Sequence, residues 1–191
     1  QNGNIYKTIV IGTQTWMAEN LRTKKYNDGT TIPNVNNTSK WGNLTSAAFC
    51  TYNNTNNSDS INTYGMLYNG YAIQTGKLAP IGWHIPTNEE WETLITYLGG
   101  GNVGGKLKEI GTIHWNNPNV DADNSSGFTA LPGGHHGYNY FSAIGNAGYW
   151  WSSTWYDSSF GYHFSVVNDS GIVYKRMVAK IEGFSVRCVM D

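Results

Sequence analysis

The stretch GYWWSSTWYDSSFGYHF, residues 148–164, gathers eight aromatic rings among Ser, Thr, Asp and Gly. Strand alternation puts Tyr149, Trp151, Ser153 and Trp155 on one side and Trp150, Ser152 and Thr154 on the other. The run from Tyr149 to Thr154 therefore reads as a strand buried on both faces, with Trp150 and Trp151 in the scaffold. Beyond it DSSFG reads as a turn, which frees Trp155, Tyr156, Asp157, Phe160, Tyr162 and His163 for a recognition face. Working outward, YHFSVVN, IVYKRMV and FSVRCVM are further β-rich runs separated by NDSG and AKIEG. The expectation is a closing antiparallel meander.

Upstream, GWHIPTNEEWETLITYLGGG carries a helix with both ends marked. Thr87 and Glu90 make a capping box, Trp91, Leu94, Ile95 and Leu98 recur at helical spacing, and Gly99–Gly101 stop the helix, which predicts it over 88–98. At the start, IYKTIVIGTQTWMAENL predicts two strands around a Gly12-Thr13 turn, with Ile9 and Ile11 alternating with Val10 so that both faces are buried. Residues 27–62 read as Asn-rich loop with a short strand near Cys50. YGMLYNGYAI (64–73) and KLKEI read as short helices, and 114–141 as a long loop. The economical architecture is one α+β domain over 1–191.

Composition narrows the function. The 191 residues are 39% hydrophobic, 14% aromatic and only 13% charged, with net charge −1. That balance excludes a basic nucleic-acid footprint and a polybasic membrane anchor, and no apolar run is long enough for membrane insertion. The opening at Gln1 rather than Met implies that a leader has been removed, and the Asn-rich, Lys-poor composition points to an exported protein. Cys50 and Cys188 are too far apart for a zinc or thioredoxin pair. A disulfide in an oxidising compartment and two buried free thiols both fit them. No serine-hydrolase, zinc-protease or phosphate-loop motif occurs, and Glu89 and Glu90 belong to the helix start.

The segments TIVIGTQTWMAENLRTKKYNDGTTIPN, YGMLYNGYA, GWHIPTNEEWETL, GGKLKE, SGFTALPGG, GYWWSST and GFSVRCVMD together resemble the Fibrobacter succinogenes major paralogous domain. The order GWH-x-PT-x-x-EW, WWSST, GFSVRC is also similar to the loop-rich C-type-lectin-like fold shared by formylglycine-generating enzymes and the variable proteins of diversity-generating retroelements. That resemblance implies pairing of N- and C-terminal strands, and a secreted or surface-displayed module typical of Bacteroidetes and Fibrobacteres. Retroelement-diversified proteins vary the interval that here holds Tyr156, Asp157, Ser158, Ser159, Tyr162, His163, Asn168, Asp169 and Tyr174, although ordinary surface polarity accounts for the same residues. An enzyme of formylglycine-generating type would need a proximate cysteine pair, whereas AFCTY and SVRCVM are apolar contexts.

The functional expectation is a non-catalytic domain binding a glycan or a cell-surface protein through this C-terminal face. Asn168, Tyr174 and the loop GGHHGYNYF, with His135, His136, Tyr138 and Tyr140, would extend it. A purely structural or adhesive module is the alternative. The adjacent histidines lack a partner motif for a metal, so no cofactor is expected there. Asp121, Asp123 and Ser125 in DADNSSG offer spaced oxygens for calcium without the distal Glu of an EF-hand, and an Asx-rich turn is the simpler reading of them.

Overall fold

The computed structural model describes residues 3–191. β1 (Thr8–Ile11) and β2 (Gln14–Met17) form the expected hairpin, with Ile9 opposite Trp16. Only one face of β1 is covered, whereas adjacent Trp16 and Met17 of β2 are both buried, in different apolar clusters. Ile11 is buried and Ile9 half-buried, but Val10 is 66% exposed, because alternation turns it away from the core.

The Asn-rich segment is largely loop around β3 (Phe49–Cys50), yet it contains two helical pieces, α1 (Thr38–Trp41) and α2 (Ser58–Tyr64). Asn37 and Asn57 start them, each side chain accepting a hydrogen bond from the backbone N–H of Lys40 and Ser60. Asparagine here acts as an N-cap rather than only as a turn former. The helix expected at 64–73 is instead β4 (Leu67–Asn69) followed by α3 (Gly70–Gln74). Asn69 makes the switch: its Oδ1 accepts from Ala72 N at 3.0 Å and Ala48 N at 3.1 Å.

β5 (Trp83–His84) leads into α4 (Asn88–Leu98), where the capping box is complete. Thr87 Oγ1 accepts from Glu90 N at 3.2 Å and Glu90 Oε2 accepts from Thr87 N at 2.8 Å. Trp91, Leu94 and Leu98 are buried, and Gly99 ends the helix at φ 117°. The next turn, α5 (Gly104–Leu107), starts before KLKEI and ends within it.

The long loop expected at 114–141 contains β6 (Gly133–His136), and β7 (Phe141–Ile144) follows. Its glycines mark close approach rather than a turn. Gly134 has φ 64°, a Cβ there would lie 2.4 Å from Ser142 O, and the residue pairs with Gly148 across a parallel contact. β8 (Ala147–Trp155), β9 (Phe160–Val167) and β10 (Tyr174–Ala179) make the meander.

FSVRCVM does not continue it. β11 (Gly183–Phe184) inserts between β4 and β6, and β12 (Val189–Met190) crosses to lie between β2 and β5. The larger sheet runs β10-β9-β8-β6-β11-β4-β3 with β7 beside β6, and the smaller runs β1-β2-β12-β5. The connecting residues pass between other segments with their carbonyls used: Ser185 O accepts from Trp151 N, Val186 O from Leu21 N and Cys188 O from Met17 N, all within 3.1 Å. The N- and C-terminal strands thus pair, Val189 opposite Trp16.

The adjacent tryptophans of β8 serve different cores. Trp150 packs on Phe128 and Trp91, with centroids 5.9 and 6.4 Å away. Trp151 packs on Phe184 at 5.0 Å and donates its indole N–H to Tyr68 O at 2.7 Å. Cys50 and Cys188 are free and fully buried, in separate apolar clusters. The bridged alternative is therefore corrected to two core thiols, whose burial raises both pKa values above the ordinary thiol range.

Two measurements check this arrangement. Melting should be insensitive to reductant, and a thiol reagent should label two groups only after unfolding. Trp151→Ala should cost about 3–5 kcal/mol, because it leaves a large cavity. Tyr156→Ala, at a 61% exposed ring, should stay within about 0.5 kcal/mol by chemical denaturation.

Candidate functional site

The meander's residues separate onto two faces. Register sets Trp151 and Arg176 on either side of His163, and Tyr149 and Tyr174 on either side of Ser165. Of these, Tyr149, Trp151 and His163 pack on Phe184, whose ring lies 4.7 Å from His163 and 5.3 Å from Tyr149. β6 adds His135, 4.9 Å from Tyr149, and Tyr140 stands 6.0 Å from His135. The result is a row, Tyr140–His135–Tyr149–His163, that joins the GGHHGYNYF segment to the meander. Beside it the Arg176 guanidinium lies over the Tyr174 ring at 5.2 Å.

Burial sets the chemistry of this row. It lowers the pKa of His163 to about 4, helped by the neighbouring positive charges of Arg176 and His135. Burial likewise lowers His135, while it raises Tyr149 and pushes Glu182 up to about 7. At neutral pH the histidines are uncharged, and the fixed charge of the row is Arg176. Nδ1 of His135 and of His163 are buried without a hydrogen-bond partner among the described residues.

Several expected site residues have other work. His163 is only 5% exposed, because strand pairing turns it inward onto Phe184. Trp155 is half-buried against Trp151 at 6.1 Å, under the Lys180 ammonium. His136 is buried between Trp41 and Phe141 and donates from Nδ1 to Gly137 O. Asp157 Oδ1 braces the hairpin turn by accepting from Ser159 N and Phe160 N. Asn168 donates to Asn117 O at the far end of β9, away from the row.

Tyr156, Phe160 and Tyr162 lie on the opposite, α4-side face with Met177. There the Lys175 ammonium sits 5.3 Å over Tyr162 and 2.6 Å from Glu92. Tyr138 is exposed. In DADNSSG, Asp123 Oδ1 accepts from Ser125 N at 2.8 Å, an Asx turn that occupies the carboxylate, and Asp121 is exposed at φ 59°. Among the described residues no three His, Cys, Asp or Glu side chains group as metal ligands.

Tyr149, Arg176 and Glu182 were outside the expected set. Alternation already placed Tyr149 beside Trp151; Glu182 was concealed in AKIEG, which reads as a turn.

The segments carrying the sequence resemblance meet at a different place. Asn20, from AENL, accepts at Oδ1 from Trp150 Nε1 (2.8 Å) and Arg187 Nε (3.0 Å), and donates to Tyr64 O and Ser185 Oγ. Arg187 also donates to Phe128 O and Thr129 O, from SGFTALPGG. A family model, the Fibrobacter succinogenes major domain, matches residues 9–190. The chain belongs to that family. No curated protein and no solved structure gives a match. The motif segments of this chain therefore converge on a buried scaffold junction, and two of them also supply Tyr149 and Phe184 to the aromatic row beside it.

Titration gives a test of the row. His163 in the folded state binds its proton less readily than in the unfolded chain, so stability falls as pH drops from about 6.5 toward 4. His163→Phe should retain about 3 kcal/mol more of its neutral-pH stability at pH 4 than the parent chain does. Glu182 has the opposite sign: its burial penalises the folded state increasingly as pH rises through about 7. Glu182→Gln should raise the melting temperature at pH 8 and leave it nearly unchanged below pH 4.5.

Proposed function

We propose that this chain is a non-catalytic recognition module of C-type-lectin-like architecture, secreted or displayed at the cell surface, that binds a glycan through the solvent-facing rings of the row, with buried His163 beneath them. The observation that carries the reading is the row itself. Half-exposed Tyr149 is held between buried Phe184 and His163, exposed Tyr140 stands against half-buried His135, and half-exposed Tyr174 lies under Arg176, which is a donor. Rings whose positions are set by packing lose little entropy on stacking against a sugar face, and a guanidinium supplies directional hydrogen bonds to hydroxyls. Neutral histidines beneath the rings favour an uncharged polyol over a strongly charged ligand. Pairing of β12 with β2 supports the lectin-like architecture.

A glycan array followed by calorimetry tests the reading. Tyr140→Ala and Arg176→Ala alter exposed side chains and should each weaken the selected glycan tenfold or more, about 1.4 kcal/mol, with little change in melting temperature. An array without a hit, or variants that bind as the parent does, would remove the glycan reading and leave a structural or adhesive module.

A further inference from the structure

A second surface, remote in sequence from the row, has the chemistry of an anion-binding groove. Two hollows share Asn4 as a wall. The first, about 210 Å³, is lined by Tyr6, Thr8, Met17, Pro80 and Trp83. The second, about 430 Å³, is lined by Arg22, Lys24, Lys25 and Thr31. The chain has twelve Lys and Arg in all, and three of them lie within four residues here.

Most of the other cations are committed. Lys108, Lys180 and Arg187 are buried, their donors directed at carbonyl and amide oxygens, and Lys77 and Lys175 are paired with Asp28 and Glu92. Lys24 and Lys25, in contrast, are exposed and have no side-chain partner among the described residues. Arg22 is fixed in place, its guanidinium 4.7 Å over the Tyr6 ring and NH2 donating to Ile5 O. Glu19 lies 3.5 Å from Arg22 and is the carboxylate that offsets part of this charge. Asp28 is occupied by Lys77 and by Thr30.

At the other end Trp83 is half-exposed, with no hydrogen-bond partner for its indole N–H among the described residues. From these observations we infer that the groove binds an acidic oligosaccharide, one that carries carboxylates along a chain of sugar rings. Trp83 is the stacking platform, Thr8 and the Oδ1 of Asn4, whose side-chain N–H donates to Arg22 O, meet ring hydroxyls, and Lys24 and Lys25 neutralise the carboxylates. A ring platform joined to unpaired ammonium groups fits a charged saccharide better than either half fits alone. This surface and its ligand are independent of the aromatic row.

Calorimetry with an oligogalacturonate, its methyl ester and poly-L-glutamate tests the assignment. The expected result is binding of the oligogalacturonate that weakens steeply with salt. The methyl ester, with the same rings and no charge, should bind at least tenfold more weakly. Lys24→Glu with Lys25→Glu changes two exposed side chains and should also lower affinity at least tenfold without lowering the melting temperature. Trp83→Leu, checked for folding by melting, should weaken the oligogalacturonate and leave poly-L-glutamate unaffected. Tyr140→Ala should change nothing here, which separates this groove from the row. The inference is overturned if the oligogalacturonate fails to bind, if the ester binds equally, or if the charge reversals have no effect. Poly-L-glutamate binding as tightly as the sugar would assign the groove to acidic peptide instead.

Discussion

The side chain of Asn20 is where the rest of the structure is fastened. A carboxamide offers one acceptor and two N–H donors, and here all are used at once, on α2, β8 and the segment between β11 and β12. Arg187 completes the arrangement as a guanidinium only 1% exposed, surrounded by an amide oxygen, two carbonyls and the Phe128 ring at 4.1 Å. Among the described residues no carboxylate pairs with it directly, and its pKa is lowered to about 9 because burial disfavours the charged form. Removing any acceptor would leave a buried cation short of partners, the most expensive kind of defect in a protein interior. Lys108 repeats the device, wholly buried, its ammonium donating to Val167 O and Ser170 O near the Trp115 ring.

This explains which parts of the fold were legible in the sequence. Helix α4 announced itself because its capping box, its apolar spacing and its terminal glycines are all local. The β1–β2 turn and the three meander strands were legible for the same reason. What stayed hidden depends on partners far along the chain. GGHH looks like a turn until the β7 backbone at Ser142 and Ile144 is set against Gly134, at a distance that no Cβ would allow. FSVRCVM has the pattern of one strand, but Ser185, Arg187 and their carbonyls are claimed by three other segments, so it is divided between two sheets.

The candidate site was legible in its composition more than in its layout. Aromatic and histidine residues of both segments do come together, yet strand register decides which of them reach solvent. His163 and Tyr162 are neighbours in sequence and face opposite ways, one toward Phe184 and the other toward the Lys175 ammonium. A single recognition face spanning 155–163 is therefore geometrically excluded, and the row forms only by borrowing His135 and Tyr140 from β6 and its turn.

The division of residues 183–190 between two sheets also has a bearing on how the chain reaches its native state. β11 occupies an interior position of the larger sheet, and β12 an interior position of the smaller. Until this short segment has been synthesised, neither sheet has a continuous set of strand neighbours, however complete the hairpin and the meander are by themselves. Most ordering must then wait for closure over well over a hundred residues, which favours slow, late, cooperative assembly over growth from the N-terminus. An intermediate lacking residues 183–190 would expose strand edges on both sheets, each a template for pairing with another chain.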